Sequence, residues 1–397
     1  MDAIFNTELQ HCFRYFYDNF SREPHSYGMM GDAIPEKSDI CSVAANGFML
    51  AGMVIGVEYG YITKQHAHDI CSKTLDTFLT LQRKNGFYYH FYRIDDLKRS
   101  NRCELSTIDT ALFVAGALTA GAYFGGDVLS KARAIYADCD WEHFYSHDKR
   151  WFYMSEYDDG FSGYWDWYAE QLLMYFLAAG SPKGVNIARE AYYSFTRREG
   201  SYRNGQHYIY GWFGSLFIHQ FSHAFIDFRG CKDAFNTDWF ENSRIASLEN
   251  RRFCQENIHA YKTYGANAWG LTSCLTAHGY QGCIGVEPSG DGGTLENLSD
   301  GTVAPCGALG SVVFTPQESL QALRHYYSIR QIVGKYGLTD AYNEDSNWYC
   351  DKYISIDKGI TLLMFANYNK QTVWKYFTSL PEIQQAYKIL EIKKENV

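Results

Sequence analysis

Ser42-Val-Ala-Ala-Asn-Gly-Phe-Met-Leu-Ala-Gly-Met-Val-Ile-Gly-Val-Glu-Tyr-Gly60 is of helix length and apolar on nearly every side. Val43, Phe48, Leu50, Met53, Val54 and Val57 leave no polar stripe, the pattern of a helix buried all round. The next stretch, residues 65–82, is different. Ile70, Leu75, Phe78 and Leu79 share one face and the remainder is polar, so this helix lies half in water. Working outward, the contrast recurs. Helical spacing is legible over residues 4–20, 111–122, 128–136, 164–179, 185–195, 216–228, 239–255, 316–333, 356–367, 373–378 and 382–393. About twelve helices joined mostly by short links make antiparallel neighbours. Alternation of all-round and one-faced apolar runs predicts an all-α toroid of six helical hairpins, an (α/α)6 barrel, with its cleft where the inner helices begin.

Residues 21–39 read as loop, and Asn85-Gly86 as a turn before the extended run 87–92. Ser106-Thr-Ile-Asp109 matches a capping box at the head of a helix. Residues 256–316 break the helical rhythm. This Gly-rich region, which includes 285–294, reads as long loops with short strands at the cleft end. With only 7 prolines and no linker or charge run in 397 residues, a single domain over 1–397 is expected.

The formal charge of −9 with no basic cluster argues against nucleic acid or an anionic membrane as partner. No run of transmembrane length is expected. The N-terminus lacks the basic start and apolar middle of a leader, and the 11 cysteines show no pairing pattern. A reduced, cytoplasmic location is the expectation, or export if a leader has been removed. The aromatic share of 17% exceeds what a core requires, and Tyr and Trp in such excess line binding surfaces.

The densest chemistry lies in Gly163-Tyr-Trp-Asp-Trp-Tyr-Ala-Glu-Gln-Leu-Leu-Met-Tyr-Phe-Leu-Ala-Ala-Gly-Ser-Pro182. Read as a helical residue among aromatics, Glu170 should have its charged form destabilised and its pKa raised, as a general acid on a sugar requires. Trp165, Trp167 and Tyr168 offer faces for pyranose rings. Asp166 has no comparable support. Glu104, in Arg102-Cys-Glu-Leu-Ser-Thr-Ile-Asp109, is a second candidate acid at the rim of an inner helix, and Asp109 reads first as the capping partner. His219 and His223 share a helix face, but the Glu of a His-Glu-x-x-His motif is absent and no metal is expected. His223, Asp227 and Arg229 suit either hydroxyl recognition or a buried network. Asn242, Arg244, Tyr264, Trp269, Asp340 and Asn343 fall in polar-aromatic motifs that could shape a cleft. Asp357 stands near a helix start, where capping is the simpler role. No Ser-His-Asp elbow, phosphate loop or dinucleotide fingerprint is present, and no cofactor is expected. Carboxylates and aromatics without a cofactor motif are the inventory of glycoside hydrolysis.

Taken together, the ordered motifs resemble a known family. Glu104-Leu-Ser-Thr-Ile-Asp-Thr-Ala111, Tyr168-Ala-Glu170, Leu177-Ala-Ala-Gly-Ser-Pro182, Phe221-Ser-His-Ala-Phe-Ile-Asp-Phe-Arg-Gly230 and Glu241-Asn-Ser-Arg244 begin the series. Trp269-Gly-Leu-Thr272, Asp300-Gly-Thr-Val-Ala-Pro305, Asp340-Ala-Tyr-Asn343 and Ile356-Asp-Lys-Gly359 extend it. The series is similar to glucoamylase-like (α/α)6 proteins, nearest the endo-β-1,2-glucanases of glycoside hydrolase family 144 and the transglycosylase domain of cyclic β-1,2-glucan synthases. That resemblance implies hydrolysis of β-1,2-glucan or sophoro-oligosaccharides. It also implies Glu170 as the acid, Glu104 as the second acid and Asp357 as a base acting through a relay. In a retaining transglycosylase, Glu104 would be the nucleophile; a non-catalytic carbohydrate-binding relative is the remaining alternative. One block departs from the family. Where relatives continue Trp-Gly-Leu-Thr with Ala-Ser-Asp-Gly-Pro, Ser273-Cys-Leu-Thr-Ala-His-Gly279 stands, without that acid.

Overall fold

The computed structural model describes residues 3–291 and 298–395. Positions 292–294 of the Gly-rich stretch and the ends of the 1–397 span lie outside the described residues. The chain is mostly helical. Its helices are α1 (Ala3–Asn19), α2 (Val43–Glu58), α3 (Lys64–Thr80), α4 (Thr107–Phe124), α5 (Gly126–Asp138), α6 (Leu172–Gly180) and α7 (Val185–Ser194). After them come α8 (Phe221–Phe225), α9 (Trp239–Glu256), α10 (Pro305–Leu309), α11 (Pro316–Ser328), α12 (Ser355–Lys370), α13 (Thr372–Thr378) and α14 (Pro381–Ile389).

The alternation expected from the apolar pattern is present. From α1 to α12, the even-numbered helices are buried along nearly their whole length. Odd-numbered α1, α3, α5, α7, α9 and α11 bury one face only. The buried set packs on itself: α2 on α4 and α12, α4 on α6, α6 on α8, and both α8 and α10 on α12. Helices α2 and α4 approach each other closely. A Cβ on Gly116 would sit 1.9 Å from the Gly47 carbonyl oxygen, so only glycine permits this crossing. Helix α4 corrects one expectation. By length and composition it could cross a membrane, but 72% of it is buried inside the protein, as a core helix would be.

Residues 21–39 are not simply loop. Gly31–Ile34 and Lys37–Ser42 form a hairpin in a four-stranded antiparallel sheet with Tyr353–Ile354 and Phe91–Arg93. A second sheet joins Leu105–Ser106, Trp151–Tyr157, Tyr145–Ser146 and Gly160–Tyr164. Short strands thus lead directly into buried helices. Ser42 ends one strand and caps α2, its Oγ accepting the Ala45 N–H at 3.4 Å; Ser106 does the same for α4 through the Asp109 N–H at 3.2 Å. Strand Tyr353–Ile354 runs straight into α12. Three buried helices therefore begin against the sheets, with their unpaired N-terminal N–H groups on that side.

The expected helix over 216–228 is instead a 3-10 turn (Leu216–His219) followed by short α8. The helix expected over 164–179 begins only at Leu172. Before it, Trp167 bridges to Thr196 and Tyr168 to Gly211, so the aromatic segment is extended. Backbone pairing overrode the helical apolar spacing there.

Candidate active site

A cavity of about 380 Å³ opens where these helices begin, within the range of small-molecule sites. Its wall includes Ala44 at the start of α2, Ile108 and Asp109 at the start of α4, and Ile356 and Asp357 at the start of α12. Glu170 enters from the turn before α6, and the strand hairpin adds Asp32, Glu36 and Lys37. A second cavity of about 480 Å³, lined by Trp165, Asp166, Trp167, Tyr168, Trp212 and Phe213 among others, also contains Glu170. Glu170 is thus common to a carboxyl-rich cavity and an aromatic one.

The turn residue Glu170 is only 8% exposed, and its Oε2 has no hydrogen-bond partner. Burial pushes its carboxyl up to about 7, and the charge of Asp109 adds to the rise. Its backbone carbonyl accepts a hydrogen bond from the Ser222 hydroxyl, which ties the turn to α8. Asp357, in the first turn of α12, is buried with Oδ2 unpartnered. Burial and then neighbouring Asp340 hold its carboxyl well above the ordinary range. Asp340 Oδ2 in turn accepts the Leu275 N–H at 2.7 Å. Leu275 belongs to the hairpin of Cys274–Thr276 with Gly279–Gln281, so the divergent 273–279 block is a cleft hairpin that brings Ser273, Leu275 and Tyr280 to the wall.

Asp109 does more than cap. Its N–H receives the Ser106 cap, but its carboxylate accepts the Ser106 hydroxyl and faces His90 Nε2 at 3.5 Å. His90 Nδ1 lies 2.8 Å from Glu104 Oε1. Burial opposes charge on the His90 ring, but Asp109 and Glu104 outweigh it and hold its pKa up at about 9. Burial likewise opposes ionisation of Glu104, yet the bond to His90 wins and its pKa is lowered. Glu104 itself lines neither cavity. It stands just ahead of α4, as expected, with its side chain on His90, which lines the first cavity.

The remaining candidates divide. Trp165 lies in the aromatic wall with its indole N–H on Thr107 Oγ1 at 3.0 Å, and Trp167 meets Trp212 edge-on at 5.4 Å. Tyr168 is buried with its ring stacked on Trp239 at 4.9 Å, so it backs the wall and presents no face to a sugar. Asp166, set aside on sequence grounds, lines the aromatic cavity. Neither cavity is lined by His223, Asp227, Arg229, Asn242, Arg244, Tyr264, Trp269 or Asn343. His223 contacts Ser243, and both His219 and His223 are buried, with pKa values pushed down to about 3. Asp227 and Arg229 pair with each other, with Arg229 over the Trp374 ring. Asn242 bonds the Ile209 main chain twice, and Arg244 pairs with Glu241. Asn343 binds Asp300 and Thr302, Tyr264 OH takes the Gly301 N–H, and Trp269 is wholly buried. These motif residues brace the loops around the cleft. Sequence reasoning missed Asp32, Glu36, Lys37, His90 and Tyr280, none of which belongs to a local motif.

Buried helices that begin around a carboxyl-lined cleft place the chain among helical proteins of the glucoamylase-like class. The sequence model of the Glycoamylase family, described as "Putative glucoamylase", matches residues 162–381, more than half of the chain, and the chain belongs to that family. The resemblance seen in the motif series is therefore borne out. Exo beta-1,2-glucooligosaccharide sophorohydrolase (non-reducing end) of Parabacteroides distasonis is 28% identical over 431 residues, covering 96% of this chain and 57% of that protein. The chain spans little more than half the length of that relative. Endo-beta-1,2-glucanase from Chitinophaga pinensis, solved with sophorotriose and glucose, is 26% identical with a TM-score of 0.87, over 99% of this chain and 98% of that one. Endo-beta-1,2-glucanase from Talaromyces funiculosus, solved with sophorose, shares the fold alone, at 10% identity and a TM-score of 0.71 over 97% of this chain and 87% of that one.

Proposed function

We propose that this chain is a glycoside hydrolase that cleaves β-1,2-glucosidic bonds in β-1,2-glucan or sophoro-oligosaccharides. Its substrate class is carried over from the β-1,2-glucan-active relatives. The observation that supports the chemistry most is Glu170, a buried acid with an unpartnered oxygen at the junction of two cavities. A carboxyl held up to about 7 keeps its proton near neutral pH and can give it to a departing glycosidic oxygen. Trp167 and Trp212 on one side of Glu170 supply faces for sugar rings, and the polar groups of the other cavity suit hydroxyls. Asp357, on the cleft side of the adjacent buried acid Asp340, is the candidate base: burial raises both carboxyls and Asp340 raises Asp357 further, so once ionised Asp357 takes a proton from water readily. Glu104 is bound to His90, which lines the cleft, and the retaining arrangement that would make Glu104 the nucleophile requires it to leave that partner.

The same reading takes residues 1–397 as one (α/α)6 barrel, supported by the alternation of buried and one-faced helices and by the packing of the buried set on itself. Incubation with linear β-1,2-glucan and sophoro-oligosaccharides, with products resolved by size and by anomeric NMR, tests the function. Shorter oligosaccharides are expected; absence of any product between about pH 4 and 8 sinks the proposal.

A further inference from the structure

We propose that Glu104, His90 and Asp109 form a charged chain that presents the Asp109 carboxylate to the cleft that Glu170 also lines, with His90 as a positioning residue and Glu104 acting only through it. This rests on the glycosidase reading above and adds to it a second, separately held carboxylate.

His90 is fixed at both main-chain ends. Its N–H donates to the Glu104 carbonyl at 2.9 Å, and its own carbonyl accepts the Val43 N–H, in the first turn of α2, at 3.2 Å. The ring stacks on Phe91 at 3.8 Å, which leaves little rotational freedom. So held, its two nitrogens point at two carboxylates, Glu104 at 2.8 Å and Asp109 at 3.5 Å. Asp109 is held from its other side by the Ser106 hydroxyl. With these contacts Asp109 lines the cleft.

Charge gives the arrangement its consequence. Asp109 is acted on by Glu104 and Asp32, both acidic, and by the single cation His90 among the described groups that affect it most. His90 is faced by Asp109, Glu104 and Asp32, and Tyr157 reaches Glu104 from the second sheet. Glu104 and Asp109 keep the ring charged. Burial raises the pKa of Asp109, and the charged ring and then the Ser106 hydroxyl work against that rise and favour its carboxylate form. That anion in turn raises the proton affinity of Glu170, so the chain helps to hold the acid in its donating form.

The test uses the intact chain and sophoro-oligosaccharides. His90→Ala should lower kcat about 10- to 100-fold with KM nearly unchanged, and free imidazole in the buffer should restore part of the loss. The acid limb of its pH profile should move to higher pH, because a carboxylate that loses its cation binds a proton more readily. Glu104→Gln should move the limb the same way with a smaller loss. A His90→Ala enzyme with unaltered kcat and pH profile, or one whose loss neither responds to imidazole nor moves the profile, overturns the proposal. A second measurement is independent of turnover. In a histidine-ring NMR titration, His90 should titrate at about 9 and fall toward 6.5 in Glu104→Gln. An ordinary titration in the unaltered protein breaks the chain. No turnover by the unaltered protein condemns the glycosidase reading instead, and leaves the titration to decide the chain.

Discussion

Glu170 is unusual for an acid in that the fold works against its ionisation. Its folded pKa of about 7 stands above the ordinary glutamate value of 4.5. Between those values the unfolded chain has released a proton that the folded chain retains, so stability falls as pH rises through this window. The penalty is nearly absent at pH 4 and grows as pH rises toward and past 7, approaching roughly 3 kcal/mol at alkaline pH. Glu170→Gln should therefore melt at a higher temperature than the unaltered protein at pH 8 and at the same temperature at pH 4. In the same variant hydrolysis should drop by about 10³-fold or more, since the donor proton is gone. His219 and His223 titrate with the opposite sign. Their folded pKa values, pushed down to about 3, mean that the unfolded state gains protons first, and stability is lost as pH falls below 6.5. Urea unfolding at pH 7 and pH 5 should show that loss, and Glu170 should soften it.

Among the elements, the α2–α4 crossing and the Cys274–Gln281 hairpin make the sharpest demands. Gly116→Ala drives a methyl into the Gly47 carbonyl, and neither backbone can yield without moving a buried helix. A loss of about 1–3 kcal/mol or more is expected by urea unfolding, against almost none for Gly265→Ala, where nothing lies within 4 Å of the added carbon. On the hairpin, Tyr280 is 53% exposed yet lines the cleft. Tyr280→Ala should raise KM roughly tenfold with kcat little changed, the sign of a ring that binds substrate without taking part in bond cleavage. The long buried helices were legible because their apolar pattern persists for four or five turns. Strands of two residues, such as Leu105–Ser106 and Tyr353–Ile354, carry no usable period and exist only through partners distant in sequence. The same limit hid His90. Within Phe-Tyr-Tyr-His-Phe-Tyr it looks like one more core ring, and its two acids arrive from 14 and 19 residues downstream. Glu170 was legible as an acid in aromatic surroundings, but its helix was not, since bridges to Thr196 and Gly211 hold its neighbours extended.

Across the whole molecule, the thiol inventory supplies a simple check on packing. None of the eleven cysteines is in a disulfide, and all but Cys103 and Cys283 are buried. A thiol reagent should modify at most these two rapidly in the native protein, and all eleven only after denaturation, as counted by mass spectrometry. The sheet that joins Ala33 to Ile354 has a consequence for the order of manufacture. As the chain emerges from the ribosome, Asp109 and Glu170 appear well before the strand that completes their surroundings and before Asp357, which directly follows that strand. A nascent chain that has exposed both acids therefore still lacks a finished site. The capacity to act on a ligand waits for the later strand to find the earlier hairpin.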